Sequence, residues 1–329
     1  MNVVIIGCGL IGNKRAKALL NANLVGCADT DIQKAKSFSS NHGHIPYFSN
    51  GNELLHNVNS DIVIICTPHN QLPELIKQSI LNGRHVLVEK PAGIFAKDLK
   101  DIEKLAKDNN CKIRVGFNHR YHRSIRKANE MVNSGVIGDL YFIRARYGHG
   151  GRVGYNKEWR ANPAISGGGE LIDQGSHLID LSRMFLGNFK KIEGYATNYF
   201  WDMPVDDNAF LILTTENGQT AFLQVSCTEW KNMFSFEIYG KYGKLDISGL
   251  GGSYGVERLA YYKMSPEMGP PETTIWEYPM ADDSWEYEFK EFLNDIETKT
   301  PSKPGIQDAI ENLVIINQIY KNSGYDYNT

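Results

Sequence analysis

The chain has 329 residues, long for a single core and comfortable for two domains. Hydrophobic residues make up 42% and charged residues 22%, and the formal charge of −3 excludes the strongly basic surface that nucleic acid or an anionic membrane selects. Five scattered cysteines, no run near the ~20 apolar residues of a membrane span, and no basic segment ahead of "MNVVIIG" lead us to expect a cytoplasmic protein without disulfides.

Residues 1–118 alternate short apolar runs with helical patterns. The runs are "VVIIG", "LVGCAD", "DIVIICTP", "HVLVEKP" and "IRVGF"; the helical patterns cover 14–21, 31–41, 71–82 and 96–109. Continuous Val/Ile runs separated by helices predict a parallel sheet covered on both faces, and right-handed crossovers make it doubly wound. Past residue 120 the texture changes. A helix at 122–133, a strand at 139–147 and a Gly-rich loop lead to a helix containing "SGGGELIDQGSHLIDL". Alternating runs follow at 191–201, 208–215, 219–230, 234–239, 244–247 and 257–263, joined by hairpin-like turns. Two helices, 285–299 and 306–321, close the chain. The prediction is an α/β protein: a Rossmann domain over 1–120, then an α+β domain over 121–329 on a mostly antiparallel open sheet. The final helix is free to pack back on the first domain.

The segment "GCGLIG" (Gly7, Gly9, Gly12) directly follows the first strand and opens a helix. Glycines there let the backbone approach a pyrophosphate, whose charge the helix N-terminus favours. Asp29 ends the second strand 17 residues past Gly12, where an acid binds a ribose hydroxyl. A carboxylate repels a 2′-phosphate and "DTD" supplies no arginine to receive one, so NAD is favoured over NADP. Tight packing with Asp29 as a helix cap, or another nucleotide such as FAD, stays open at this point.

Lys90, in "VEKPAG", ends the fifth run, at the carboxyl edge where open α/β sheets bind ligands. Asp173 and His177 are spaced i, i+4 and so share a helix face, in a stretch loaded with glycine. Alone, that pair reads equally as a structural hydrogen bond or half of a catalytic centre. A metal site is disfavoured, because zinc asks for three or four ligands at suitable spacing.

With "GCGLIG", Glu89–Lys90–Pro91 and "GGGELIDQGSHLID" in this order, the chain resembles the glucose–fructose oxidoreductase/inositol dehydrogenase (GFO/IDH/MocA) family over nearly its whole length. The resemblance implies that Lys90, Asp173 and His177 surround the reacting carbon. It also implies that the second domain's open sheet forms a homodimer or homotetramer contact. Candidate cofactor contacts are Gly7, Gly9, Leu10, Ile11, Gly12, Asp29, Thr67, Pro68, Glu89 and Lys90. One departure stands out: many members carry a histidine where "TPHNQLPE" has Leu72, and His69 is three positions away.

Oxidation of a secondary alcohol removes a hydride from carbon and a proton from oxygen. An imidazole near its reference pKa of ~6.5 accepts that proton at neutral pH. His177 is the preferred base, Asp173 its partner, and Lys90 the donor to the developing alkoxide; a lysine lowered by desolvation is the other candidate base. Arg144, Arg146, Arg152, Lys157 and Arg160, with Asn118 and Arg120 at the junction, suggest a polyhydroxylated substrate carrying an anionic group, such as a nucleotide-sugar or sugar phosphate, with a cyclitol as a further option. Candidate substrate contacts are Asn118, Arg120, Arg152, Arg160, Asp173 and His177. Two other functions compete: NAD-dependent glycosidase-like oxidation and elimination, and a non-enzymatic NAD-binding sensor. The complete Lys–Asp–His set argues against the sensor.

Overall fold

The computed structural model describes residues 1–267 and 269–325. Two contact-defined units emerge: Met1–Phe117 with Trp285–Leu313, and Asn118–Ser284 with Val314 onward.

The first unit holds six parallel strands: β1 (Asn2–Ile6), β2 (Asn23–Ala28), β3 (Tyr47–Phe48), β4 (Ile62–Ile65), β5 (His85–Glu89) and β6 (Ile113–Gly116). Their order is β3-β2-β1-β4-β5-β6, with the crossover between β3 and β4 reversing direction beside β1, the switch point where such sheets bind ligands. The connecting helices are α1 (Leu10–Lys17), α2 (Ile32–Asn41), α3 (Gly51–Asn57), α4 (Leu72–Leu81) and α5 (Ala96–Asp108). The five apolar runs all became strands. Strand β3, two residues long, and α3, entered through glycine and capped by the Asn50 side chain on the Asn52 N–H at 2.7 Å, carry too little periodicity to read beforehand.

The second unit has α6 (Arg123–Asn133), β7 (Leu140–Gly148), α7 (Pro163–Ser166), a π-helical turn (Leu171–Gly175) and α8 (Ser176–Leu186). Strands β8 (Phe189–Thr197), β9 (Asn208–Thr215), β10 (Thr220–Ser226), β11 (Met233–Gly240), β12 (Gly243–Ser248), β13 (Glu257–Lys263) and β14 (Glu272–Tyr278) follow. The sheet order is β14-β13-β12-β11-β7-β10-β9-β8, antiparallel except for the β7/β10 pair. Strict alternation divides the faces: Ile143, Ala145, Leu211, Leu223 and Phe236 are buried, while Tyr195, Ile212 and Phe222 are exposed on the other side. Strand β14, an edge strand with mostly exposed residues, lacks the half-buried pattern and was missed.

The expected single boundary near 120, with 121–329 as one domain, is corrected by α9 (Ser284–Thr298), which lies largely in the first unit; α10 (Ile306–Asn322) spans both ranges. The reason is burial. Phe289 and Phe292 join the core of Val3, Ile5, Ile64 and Leu87, each worth roughly 1.5–3 kcal/mol removed from water. Arg114, also buried, is bound by the Asp295 carboxylate of α9 and donates to the Lys303 carbonyl at 2.9 Å. Removing either charge of such a buried pair strands the other, at a cost of about 3–5 kcal/mol.

Candidate active site

The Gly-rich loop between β1 and α1 is shaped by two contacts and one vacancy of side chain. Gly7 has φ +101°, and a Cβ on it would lie 2.6 Å from the Cys66 carbonyl. A Cβ on Gly12 would come within 2.1 Å of the Gly7 carbonyl oxygen, so this glycine lets helix and loop close on each other. A Cβ on Gly9 would meet nothing within 4 Å. Next to it Leu10 is 75% exposed, although it opens α1, and Ile11 is half-buried.

Asp29 accepts the Cys8 N–H at 2.8 Å and the Asp31 N–H at 2.9 Å, which pins its carboxylate beside the loop. At the end of β4, Thr67 has a buried hydroxyl oxygen with no hydrogen-bond partner among the described residues; Pro68 follows in extended conformation. Open space over Gly9, a fixed acid and an unsatisfied hydroxyl along the carboxyl edge suit a dinucleotide: phosphates over Gly9–Gly12, a ribose at Asp29.

Behind this edge lies a buried charge network that the sequence reading missed. Arg15, 1% exposed, meets Glu89 at 2.6 Å and the Glu288 carboxylate of α9, with its guanidinium over the Trp285 ring at 4.5 Å. Burial pushes the Glu288 carboxyl up and Arg15 opposes that shift. Glu89, expected as a cofactor contact, is thus held by Arg15, and Lys90 follows it half-buried at the strand end. In sequence Arg15 is one of three basic residues of α1, with Lys14 and Lys17, and nothing local marks it as the buried one.

In the second unit, the helix expected from residue 170 onward begins as the π-helical turn, a local widening often found at functional sites. Its glycines explain themselves. Gly167 is left-handed (φ +79°) and ends α7. A Cβ on Gly168 would strike the Tyr320 ring and hydroxyl at 2.1–2.7 Å, and one on Gly169 would lie 1.8 Å from the Asp206 carbonyl oxygen. These positions are small because protein fills the space beside them. Asp206 clamps the turn by accepting the N–H groups of Gly169 and Leu171, both at 2.8 Å, and the Tyr320 hydroxyl at 2.7 Å. Gly175 packs against Leu171 and Val225, the latter near the end of β10.

The turn carries Asp173, and His177 follows it at the start of α8. Asp173 accepts from Arg160 Nε at 2.9 Å. His177 is 5% exposed and stacks on His119, ring centroids 3.6 Å apart. His119 bridges Tyr147 Oη at 3.1 Å and Asn118 Oδ1 at 3.2 Å, and Asn118 donates to Ser284 at 3.1 Å.

Around them sit groups the sequence reading did not single out. Tyr155 donates to Glu170 Oε1 at 2.8 Å, and His149 Nε2 lies 3.5 Å from the same oxygen. Burial alone would lower His149, but Glu170 and then Asp173 outweigh it and raise its pKa. Burial pushes Tyr147 and Tyr155 well up, so both remain hydroxyl donors at neutral pH. A glutamate following three glycines into an otherwise apolar segment was the only sequence signal for Glu170.

Four of the five expected anion-binding arginines, all but Arg146, are matched to protein carboxylates. Arg120 forms a bidentate pair with Asp180 at 2.7 Å; Arg152 grips Glu158 at 2.6 and 2.7 Å; Arg160 holds Asp173. On the sheet's outer face Arg144 pairs with Glu237. Burial would raise Glu237, but hydrogen bonds from Arg144 and Lys244 prevail and bring it down to about 2. No group of three or more His, Cys, Asp or Glu side chains able to hold a metal occurs among the described residues, and no helix among them is long and apolar enough to cross a membrane. All five cysteines are free.

Comparison with known proteins fits this arrangement. Residues 1–117 match the model described as "Oxidoreductase family, NAD-binding Rossmann fold", and residues 125–246 match the GFO/IDH/MocA C-terminal domain. D-glucoside 3-dehydrogenase of Escherichia coli (strain K12) is 26% identical over 252 residues, 69% of this chain and 70% of that protein. Trans-1,2-dihydrobenzene-1,2-diol dehydrogenase of Xenopus tropicalis is 25% identical over 67% of each chain. The structure of levoglucosan dehydrogenase in complex with NADH and levoglucosan superposes with a TM-score of 0.88 at 19% identity, covering 98% of this chain and 97% of that one, a likeness of fold. A glycine cradle at the switch point, Lys90 at the end of β5 and the Asp173–His177 turn accompany matches to both family domains: the chain belongs to the GFO/IDH/MocA family and is an NAD(P)-dependent oxidoreductase.

Proposed function

We propose that the protein oxidises a secondary hydroxyl of a neutral sugar or glycoside with NAD rather than NADP. The observation that carries this reading is the clamped turn that presents Asp173 and a buried His177 in a chain whose first unit is an NAD-binding Rossmann fold. Dehydrogenases named for a glucoside and for levoglucosan among its relatives support a sugar-type substrate. The carboxylates on Arg120, Arg152 and Arg160 favour a neutral sugar over a phosphate or nucleotide-sugar, because an anion would have to displace them. Asp29, fixed by two backbone N–H groups, favours a ribose hydroxyl over a 2′-phosphate.

Bound NAD supplies the hydride acceptor; this chain's residues handle the proton. His177 takes it from the substrate hydroxyl, Asp173 orients that hydroxyl with Arg160 holding its carboxylate, and Lys90 stabilises the oxygen as its charge develops. The exposed sheet face bearing Tyr195, Ile212 and Phe222 is our candidate contact for a homodimer or homotetramer.

The test is a panel of hexoses, glucosides, anhydrosugars and inositols, beside nucleotide-sugars and sugar phosphates, each with NAD⁺ or NADP⁺. Reduced-nicotinamide absorbance should rise with a neutral sugar and NAD⁺. His177→Ala and Lys90→Ala should each lower turnover by ~100-fold or more while NAD binding persists. Near-normal turnover in both variants, or activity confined to phosphorylated sugars, overturns the reading.

A further inference from the structure

Three loops of the second unit meet at one end of its sheet. Thr197 of β8 is in register with Asn208 of β9, Asn208 with Ser226 of β10, and Ser226 with Gly148 of β7. The segments 149–154, 198–207 and 227–232 therefore leave the sheet side by side. This is the end at which Gly175, between Asp173 and His177, packs on Val225.

Large apolar side chains stand in solvent here: Phe200 is 57% exposed and Trp230 66%. Their centroids are 4.7 Å apart with planes at 90°, so one ring forms a floor and the other a wall. The corner is rigid by construction. Asp207, fully buried, accepts the N–H groups of Tyr199, Phe200 and Trp201 at 2.9, 2.7 and 3.0 Å. Trp201 donates through Nε1 to the Cys227 carbonyl at 2.9 Å and lies against Gly151, where a Cβ would come within 2.4 Å of its ring. Trp230 has φ +55°, a left-handed conformation that costs a bulky residue about 1–2 kcal/mol, and its backbone seats on Gly150. A strained backbone that keeps an indole in water is the kind of outlier from which function is inferred.

The corner is continuous with the candidate site inside this unit. Trp201 contacts the Tyr155 ring at a centroid distance of 6.0 Å, and Tyr155 donates to Glu170, three residues before Asp173. We propose that Phe200 and Trp230 form a subsite for a second pyranose ring, glycosidically joined to the sugar that is oxidised; this rests on the sugar reading above. A pyranose presents an apolar C–H face ringed by hydroxyls. That face suits the floor, and exposed Asp202, Lys231 and Asn232 flank the two aromatics in sequence to meet the hydroxyls. Preorganised rings bind without an ordering cost. A second copy of the chain is better served by the flat sheet face than by a ring-sized corner at the strand ends.

The full-length protein would be compared with Phe200→Ala, Trp230→Ala and the double variant, using cellobiose, maltose and trehalose against glucose. The ratio of kcat/KM for the preferred disaccharide to that for glucose should fall about 10-fold in the double variant, mainly through KM, with the melting temperature retained. Independently of turnover, that disaccharide should quench wild-type tryptophan fluorescence without cofactor, and Trp230→Ala should lose the quenching. If no sugar is oxidised, the function fails while the quenching still judges the subsite. Absence of quenching by any disaccharide, quenching by uridine diphosphate instead, an unchanged ratio, or a drop in solution mass as the variants' sole effect each overturns it.

Discussion

Two glycine clusters of this protein look alike in sequence and differ in purpose. Around Gly9 the missing side chain faces open space, while at Gly168 and Gly169 it is replaced by Tyr320 and Asp206. In the first cluster only Gly9 leaves open room, while Gly7 and Gly12, like Gly168 and Gly169, make room for the protein itself. Glycine therefore marks close approach without saying what approaches.

The sharpest way to break this contrast is Gly169→Ala. With the added carbon 1.8 Å from the Asp206 carbonyl oxygen, the turn must shift, at a cost of about 1–3 kcal/mol or more. A clear drop in melting temperature is expected, with loss of turnover because Asp173 moves. An unchanged melting curve would mean the turn is not clamped. Gly9→Ala is the counter-experiment: its backbone, at φ −77°, accepts a side chain without strain. Folding should be untouched while NAD affinity, read by calorimetry, falls about 10-fold. Retained affinity would remove the cofactor from that space.

A smaller effect concerns Asp206, whose carboxyl burial pushes from 3.8 up to about 6 despite hydrogen bonds from Tyr320, Leu171 and Gly169. Because the folded state binds this proton more tightly, its contribution to stability is fully present below pH 3.8 and is lost as pH rises through about 6. Denaturant titrations of wild type and Asp206→Asn should differ in slope across that window. Parallel curves would remove Asp206 as the source.

Much of the first unit was legible because its strands are buried on both faces, so runs such as "VVIIG" stand out locally. Lys90, Asp173 and His177 stood out for a different reason: the short elements that carry them, in this order, resemble those of a known family, while alone the Asp–His pair reads equally as a structural bond. Arg15 and Glu288 were invisible as a pair: 273 residues separate them, and no local pattern announces that two charges will share a buried site. The arginines illustrate the same limit from the other side. Their residue type suggested an anionic ligand, whereas Asp180, Glu158 and Asp173 had already taken their forks.

By itself the sequence determined the strand and helix periods and the glycine turn at the end of β1, since each depends on residues close in the chain. The tertiary structure decided which glycines face open space, which carboxylates Arg120, Arg152 and Arg160 meet, and that α9 supplies Phe289 and Phe292 to the first core. Those outcomes depend on which surfaces meet after the chain closes long loops, and burial with hydrogen-bond satisfaction, acting across the whole fold, selects them.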